Sequence, residues 1–123
     1  MTTYLNAVRY QTLTIPAAGS VSNAVPVGAG AVIVGLAMPA AWDAANITYQ
    51  GSVDGINFQD IYDTATNGTS NEWSTAAVAN RLIMLDTSLS DSLQQIRLRS
   101  GTSATPVNQT AARTITLIIR DLA

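Results

Sequence analysis

The sequence predicts an all-β protein: a two-sheet antiparallel β-sandwich of jelly-roll type with about eight or nine strands. Three observations carry that expectation. Short extended runs follow one another along the 123 residues, separated by turn clusters at the spacing of an all-β domain. Several runs alternate apolar and polar residues, the period of a strand with one buried face. Between two of them lies Asp54-Gly55, where glycine reaches positive φ freely and aspartate bonds nearby amides, the chemistry of a hairpin turn.

Taken in order, the first candidate strands are Val8–Ile15 and Ser22–Val27, bounded by Pro16-Ala17-Ala18-Gly19 and by Gly28-Ala29-Gly30. Ala31–Met38 contains Val32-Ile33-Val34, apolar on both faces as in a strand covered twice. Gly35 within it marks a bulge or a close backbone approach. In Ile47–Val53, the residues Ile47, Tyr49 and Val53 share a face, and after the Asp54-Gly55 turn Asn57–Asp63 brings back Phe58 and Ile61. Glu72–Thr75 and Arg81–Asp86 follow. Gln95–Ser100 puts Ile96 and Leu98 toward the core and Arg97 and Arg99 outward. Arg113–Leu122 sets Ile115, Leu117 and Ile119 inward and threonines opposite, with Ile118 as an apolar group on the outer face. Pro39–Ala45 makes at most one or two helical turns, and Asp86–Asp91 is a short helical turn or a loop. The expected core is Ile33, Leu36, Tyr49, Val53, Phe58, Leu82, Met84, Ile96, Leu98, Ile115 and Leu117.

One domain over residues 1–123 fits this length, with Met1–Asn6 as an N-terminal arm. Cysteine, histidine and lysine are absent, which removes disulfides, thiol nucleophiles and the commonest general base and metal ligand. Six arginines against eight acids give a net charge of −2, so nothing resembles the basic footprint of a nucleic-acid binder. The apolar run Ala29–Ala41 is too short to span a bilayer and is broken by Gly30, Gly35 and Pro39, so no membrane partner is expected. Charged residues make up only 11% of the chain, well under the usual quarter. Neutral polar residues replace them, and such a surface packs many copies together with little self-repulsion, which favours an assembly component.

No constellation of residues amounts to a catalytic or cofactor site, so neither an enzyme nor a cofactor is expected. Asp54, Asn57, Asp60 and Asp63 supply oxygen ligands, but their spacing is not that of an EF-hand, and the bland account is a turn flanked by solvated acids. Glu72, the single glutamate, has no second acid to form a glycosidase pair; beside it Trp73 can stack a sugar or pack at a strand end. Trp42, in the Pro39–Ala45 connection, caps the sandwich end or anchors a partner. Arg97, Arg99, Arg113 and Arg120 have few acids near them in sequence, so their partners are carboxylates of a neighbouring chain or solvent. The candidate interface residues are therefore Arg97, Arg99, Arg113, Ile118, Arg120, Trp42 and Trp73.

The segment from Gly35 to Gln50, the Ser52-Val53-Asp54-Gly55 hairpin and Ile96–Thr102 resemble small β-sandwich proteins of tailed-phage particles. A more distant likeness, carried by the Ser-x-Asp-Gly turn and the following aromatic, is to discoidin-type carbohydrate- or lipid-binding modules. The first resemblance implies a virion structural protein, in particular a capsid decoration (cement) protein, often a trimer, whose partner is the major capsid protein or another virion protein. A head–tail connector, a tail part or a fibre-type glycan-binding module are the alternatives it leaves. Low charge, small size and the outward Ile118 add the expectation of a homo-oligomer, with a trimer favoured.

Overall fold

The computed structural model describes residues 8–28, 30–62, 71–85 and 93–121. Within them lie nine strands: β1 (Val8–Ile15), β2 (Val25–Pro26), β3 (Ala31–Ala37), β4 (Ile47–Ser52), β5 (Gln59–Asp60), β6 (Ser74–Thr75), β7 (Leu82–Met84), β8 (Gln95–Ser100) and β9 (Arg113–Asp121). They form a four-stranded sheet ordered β1-β9-β3-β7 and a five-stranded sheet ordered β2-β8-β4-β5, in which β6 also pairs with β4. No helix occurs among the described residues; Pro39–Ala45 is irregular, and Asp86–Asp91 lies outside them, as do Met1–Asn6 and Asp63.

The pairing explains the topology. β1 pairs with β9, β2 with β8, β3 with β7, and β4 with β5 and β6, all antiparallel. The chain is thus one long antiparallel ribbon folded back on itself after β4, with successive rungs falling in opposite sheets. Further pairings of β3 with β9 and β4 with β8 close the rolled ribbon. This is the jelly roll expected from the sequence.

The turn at the ribbon's tip is built from its own side chains. Ser52 Oγ accepts the Gly55 amide at 2.8 Å, and Asp54 Oδ1 accepts the amides of Ile56 and Asn57, each at 2.8 Å. Asn57 Nδ2 donates to the other Asp54 oxygen at 2.9 Å. Gly55 sits at φ +79°, where a side chain is strained. These donors favour the ionised carboxylate, and they hold Asp54 well below the usual carboxylate range.

Between the sheets, Leu13 and Ile15 of β1, Ile33 and Leu36 of β3, and Ile115, Leu117 and Ile119 of β9 meet Ile47 and Tyr49 of β4 and Ile96 and Leu98 of β8. Each is fully buried, and each such side chain stabilises the fold by about 1.5–3 kcal/mol. Gly35 meets both expectations placed on it. The β3–β9 register slips between Ile33 and Gly35, a bulge at Val34. A Cβ on Gly35 would also stand 3.0 Å from the Ile83 carbonyl oxygen and 3.2 Å from Ile118 Cδ1.

The core differs from expectation at four residues. Val53, Leu82 and Met84 are exposed, at 76%, 65% and 65%, and Phe58 is half-buried. β7 carries the opposite phase: Ile83, opposite Leu36, packs on the core while Leu82 and Met84 face out. In a strand of period two, an error of one residue exchanges the faces. Val53 has left β4 for the turn. β2 is shorter than Ser22–Val27 because the register against β8 shifts by one residue between Val21, opposite Arg99, and Val25, opposite Ile96, and Ser22 Oγ accepts the Leu98 amide between them.

Candidate interaction surface

Arg97 and Arg99 lie on β8 with their side chains on the face opposite Ile96 and Leu98, but that face is covered around Arg99. Arg99, only 5% exposed, donates Nη1 to Asp60 Oδ1 at 2.8 Å, Nη2 to Glu72 Oε2 at 2.6 Å and Nε to Thr48 Oγ1 at 3.0 Å. Arg97 donates Nε to Gln50 Oε1 at 2.7 Å and stacks over Phe58, 4.3 Å from the ring centre. Gln50 joins the two systems by donating Nε2 to Asp60 Oδ1 at 3.0 Å. That bond, with the charges of Arg99 and Arg97, holds the Asp60 carboxyl below its ordinary range. The result is a charge-balanced chain of side chains that straps β5 and Glu72 onto the sheet.

A second polar system closes one end of the sandwich. Gln109, fully buried, accepts the Asp43 amide at 2.8 Å on Oε1 and donates Nε2 to the Asp43 carbonyl at 3.1 Å and to Ser100 Oγ at 2.8 Å. Its backbone bonds to Ala18 and Gly19. Arg113 Nη2 reaches Asp43 Oδ1 at 2.9 Å, and the Thr110 amide reaches Oδ2 at 2.7 Å. The Thr110 amide, foremost, and Arg113 keep Asp43 below the ordinary carboxylate value. Trp42 packs against the core beside this system and donates Nε1 to the Ala45 carbonyl at 3.0 Å.

The outer face of the four-stranded sheet is different in kind. In register across it stand Tyr10 of β1, Ile118 of β9, Gly35 of β3 and Met84 of β7. The next row is Thr12, Thr116, Ala37 and Leu82. Gly35 lets its neighbours converge, since its absent Cβ would lie 3.2 Å from Ile118 Cδ1 and 3.3 Å from Met84 Sδ. Tyr10, Leu82 and Met84 are each about two-thirds exposed, at 67%, 65% and 65%. Among the described strand residues on this face the one charged side chain is Arg120 of β9, opposite Val8 and Val32. Such a contiguous apolar surface marks an interaction site more often than a solvated face.

Comparison with known proteins adds a fold. The structure resembles the crystal structure of SPBc2 prophage-derived protein YomS. The two superpose with a TM-score of 0.60 over 98% of each chain, at 12% sequence identity. No family model matches the chain, and no curated protein matches it by sequence. At this identity the likeness establishes shared architecture.

Six of the seven candidate residues fall in three places, and the seventh, Trp73, lies in the core. Arg97 and Arg99 belong to the strap on the five-stranded sheet, Arg113 and Trp42 to the polar end, and Ile118 and Arg120 to the outer face of the other sheet. Trp73 is buried and stacks on Tyr49 with ring centres 3.9 Å apart and planes at 21°. The carboxylates sought on a neighbouring chain for Arg99 and Arg113 are supplied by this chain, by Asp60 and Glu72 and by Asp43. Of the proposed oxygen cluster, Asp54 serves its turn and Asp60 serves Arg99. Sequence reasoning missed Gln109, for which no local signal exists. It also missed the row around Gly35, which the outward Ile118 had half announced.

Proposed function

We propose that this chain is a structural protein of a phage particle, a decoration protein that docks on the major capsid protein and stiffens the shell by bridging neighbouring coat subunits. It works by binding and not by catalysis. The observation that carries this reading is the apolar row Tyr10–Ile118–Gly35–Met84, with Leu82 beside it, on a chain in which only 11% of the residues are charged. A jelly-roll architecture shared along nearly its whole length with a prophage-derived protein supports the phage setting. Shallow contacts of this kind are weak singly, but copies arrayed on a symmetric shell sum them.

The acids best placed for chemistry are already engaged: Asp60 and Glu72 both serve Arg99. A glycan-binding role would have used Trp73 as its platform, and Tyr49 occupies that ring's face. The reading is tested by quantifying the chain in purified particles. A decoration protein is expected in hundreds of copies per particle, in simple ratio to the coat protein. A handful of copies, or none, would replace this reading with a tail, neck or non-virion role.

A further inference from the structure

Among the described residues four edges bound the two sheets, and three of them are protected. β7 is three residues long, β2 is two residues long and ends in Pro26, and the edge beyond β4 is made of β5 and β6, two residues each. Short edges and proline are the means by which sheets avoid pairing with other chains. β1 has none of these protections. It runs for eight residues, Val-Arg-Tyr-Gln-Thr-Leu-Thr-Ile, with no proline, no lysine and an unbroken register against β9.

The direction of its free groups follows from Thr14. That residue stands opposite Thr114 in the β1–β9 register, yet its amide bonds to Asn23 Oδ1 at 2.8 Å on the other side. Even-numbered residues of β1 therefore direct both amide and carbonyl away from β9. Asn23 covers the edge at Thr14, and among the described residues nothing pairs with the backbone of Val8, Tyr10 and Thr12. The open stretch is centred on Tyr10.

We infer that this edge pairs with the same edge of a second copy, antiparallel about a two-fold axis through Tyr10, to form a dimer with one continuous eight-stranded sheet. The register sets Tyr10 against its own counterpart and Val8 against Thr12 of the second copy. All three are residues whose backbone groups point outward, so six hydrogen bonds form. Arg9, already paired with Asp121 at 3.2 Å, falls opposite Gln11 of the second copy, and no like charges meet. The two Tyr10 rings form a cross-strand aromatic pair on the outer face.

The self-complementary register favours a second copy as occupant, and the pairing also widens the outer face. At about 3.3 Å per residue and about 4.8 Å between strands, the four strands cover roughly 400 Å² in projection. A standard interface needs about 800 Å² per partner. Pairing through β1 doubles the apolar row into one face of that size. The pairing itself does not depend on what that face binds, and it is two-fold, unlike the trimer expected from the phage resemblance.

Sedimentation of the isolated full chain tests it. The expected result is a concentration-dependent dimer, with the Tyr10 and Thr12 amides protected from hydrogen exchange at high concentration and unprotected on dilution. Tyr10→Lys, at an exposed position, places like charges across the axis and is expected to weaken the dimer about tenfold or more. Tyr10→Glu alone does the same, and mixing the two variants restores dimers. A wild-type chain that stays monomeric at hundreds of micromolar, a trimer, or a dimer indifferent to both substitutions would overturn the inference.

Discussion

Arg99 and Glu72 lie 27 positions apart and meet at 2.6 Å, with both side chains almost withdrawn from solvent. The pair fixes where the excursion between β4 and β7 returns to the sheet, since the Trp73 amide next to Glu72 bonds to the Ile61 carbonyl at 2.8 Å. Trp73 is thereby delivered onto Tyr49. A buried ion pair of this kind adds little over an apolar substitute, but removing one partner strands the other.

Glu72→Ala is therefore expected to cost about 3 kcal/mol, read as a lower urea midpoint at an unchanged slope. Arg97→Ala, on the more open arginine, is expected to cost less than half as much.

Trp73→Ala removes the ring stacked on Tyr49 and leaves a cavity under β6. The expected loss is about 3–5 kcal/mol, measured by thermal or urea unfolding. A loss of a few tenths would mean that the indole is not part of the core.

Gly35→Ala tests the close packing of the outer row. The added methyl meets the Ile83 carbonyl oxygen at 3.0 Å, a backbone atom that yields only if β7 shifts. Destabilisation of about 1–3 kcal/mol is expected, as for overpacking elsewhere. The paired substitution Gly35→Ala with Met84→Ala is expected to recover part of it.

Acid stability follows from three carboxylates. Asp43, Asp54 and Asp60 are each held below the ordinary value of 3.8 in the folded chain. A group with a depressed folded pKa stabilises the fold above its unfolded value, and that contribution is lost as pH falls through the folded one. Stability is expected to decline below about pH 4 and, with no histidine in the chain, to stay flat between about pH 5 and 8. Asp54→Asn is expected to flatten the acid limb, and an unfolding midpoint that changed between pH 6 and 7 would contradict the assignment.

What the sequence made legible was local. Alternation placed Ile96, Leu98, Ile115, Leu117 and Ile119 on the core face, and turn chemistry found the Ser52–Asn57 tip on which the ribbon folds. Length sets where that reasoning stops: β7, with three residues, has too few positions to define a phase, so alternation does not reveal that Leu82 and Met84 face outward. Side-chain partners distant in sequence were the other blind spot. Nothing near Arg99 announces Asp60 or Glu72, 39 and 27 residues away, and nothing near Gln109 announces Asp43. Such pairs are consequences of the rolled topology and become visible only with it.

In the proposed function the apolar outer face of the β1-β9-β3-β7 sheet holds the chain on a capsid. The most direct test of that role is a binding isotherm of purified protein on particles stripped of it, comparing the wild-type chain with Leu82→Lys/Met84→Lys, both at exposed positions that leave the core intact. The account predicts saturable binding of the wild-type chain at symmetric sites, with higher particle resistance to heat. It also predicts a loss of about tenfold or more in affinity for the variant, as for central residues of an interface. Equal binding by a folded variant, or no saturable binding by either protein, would contradict it.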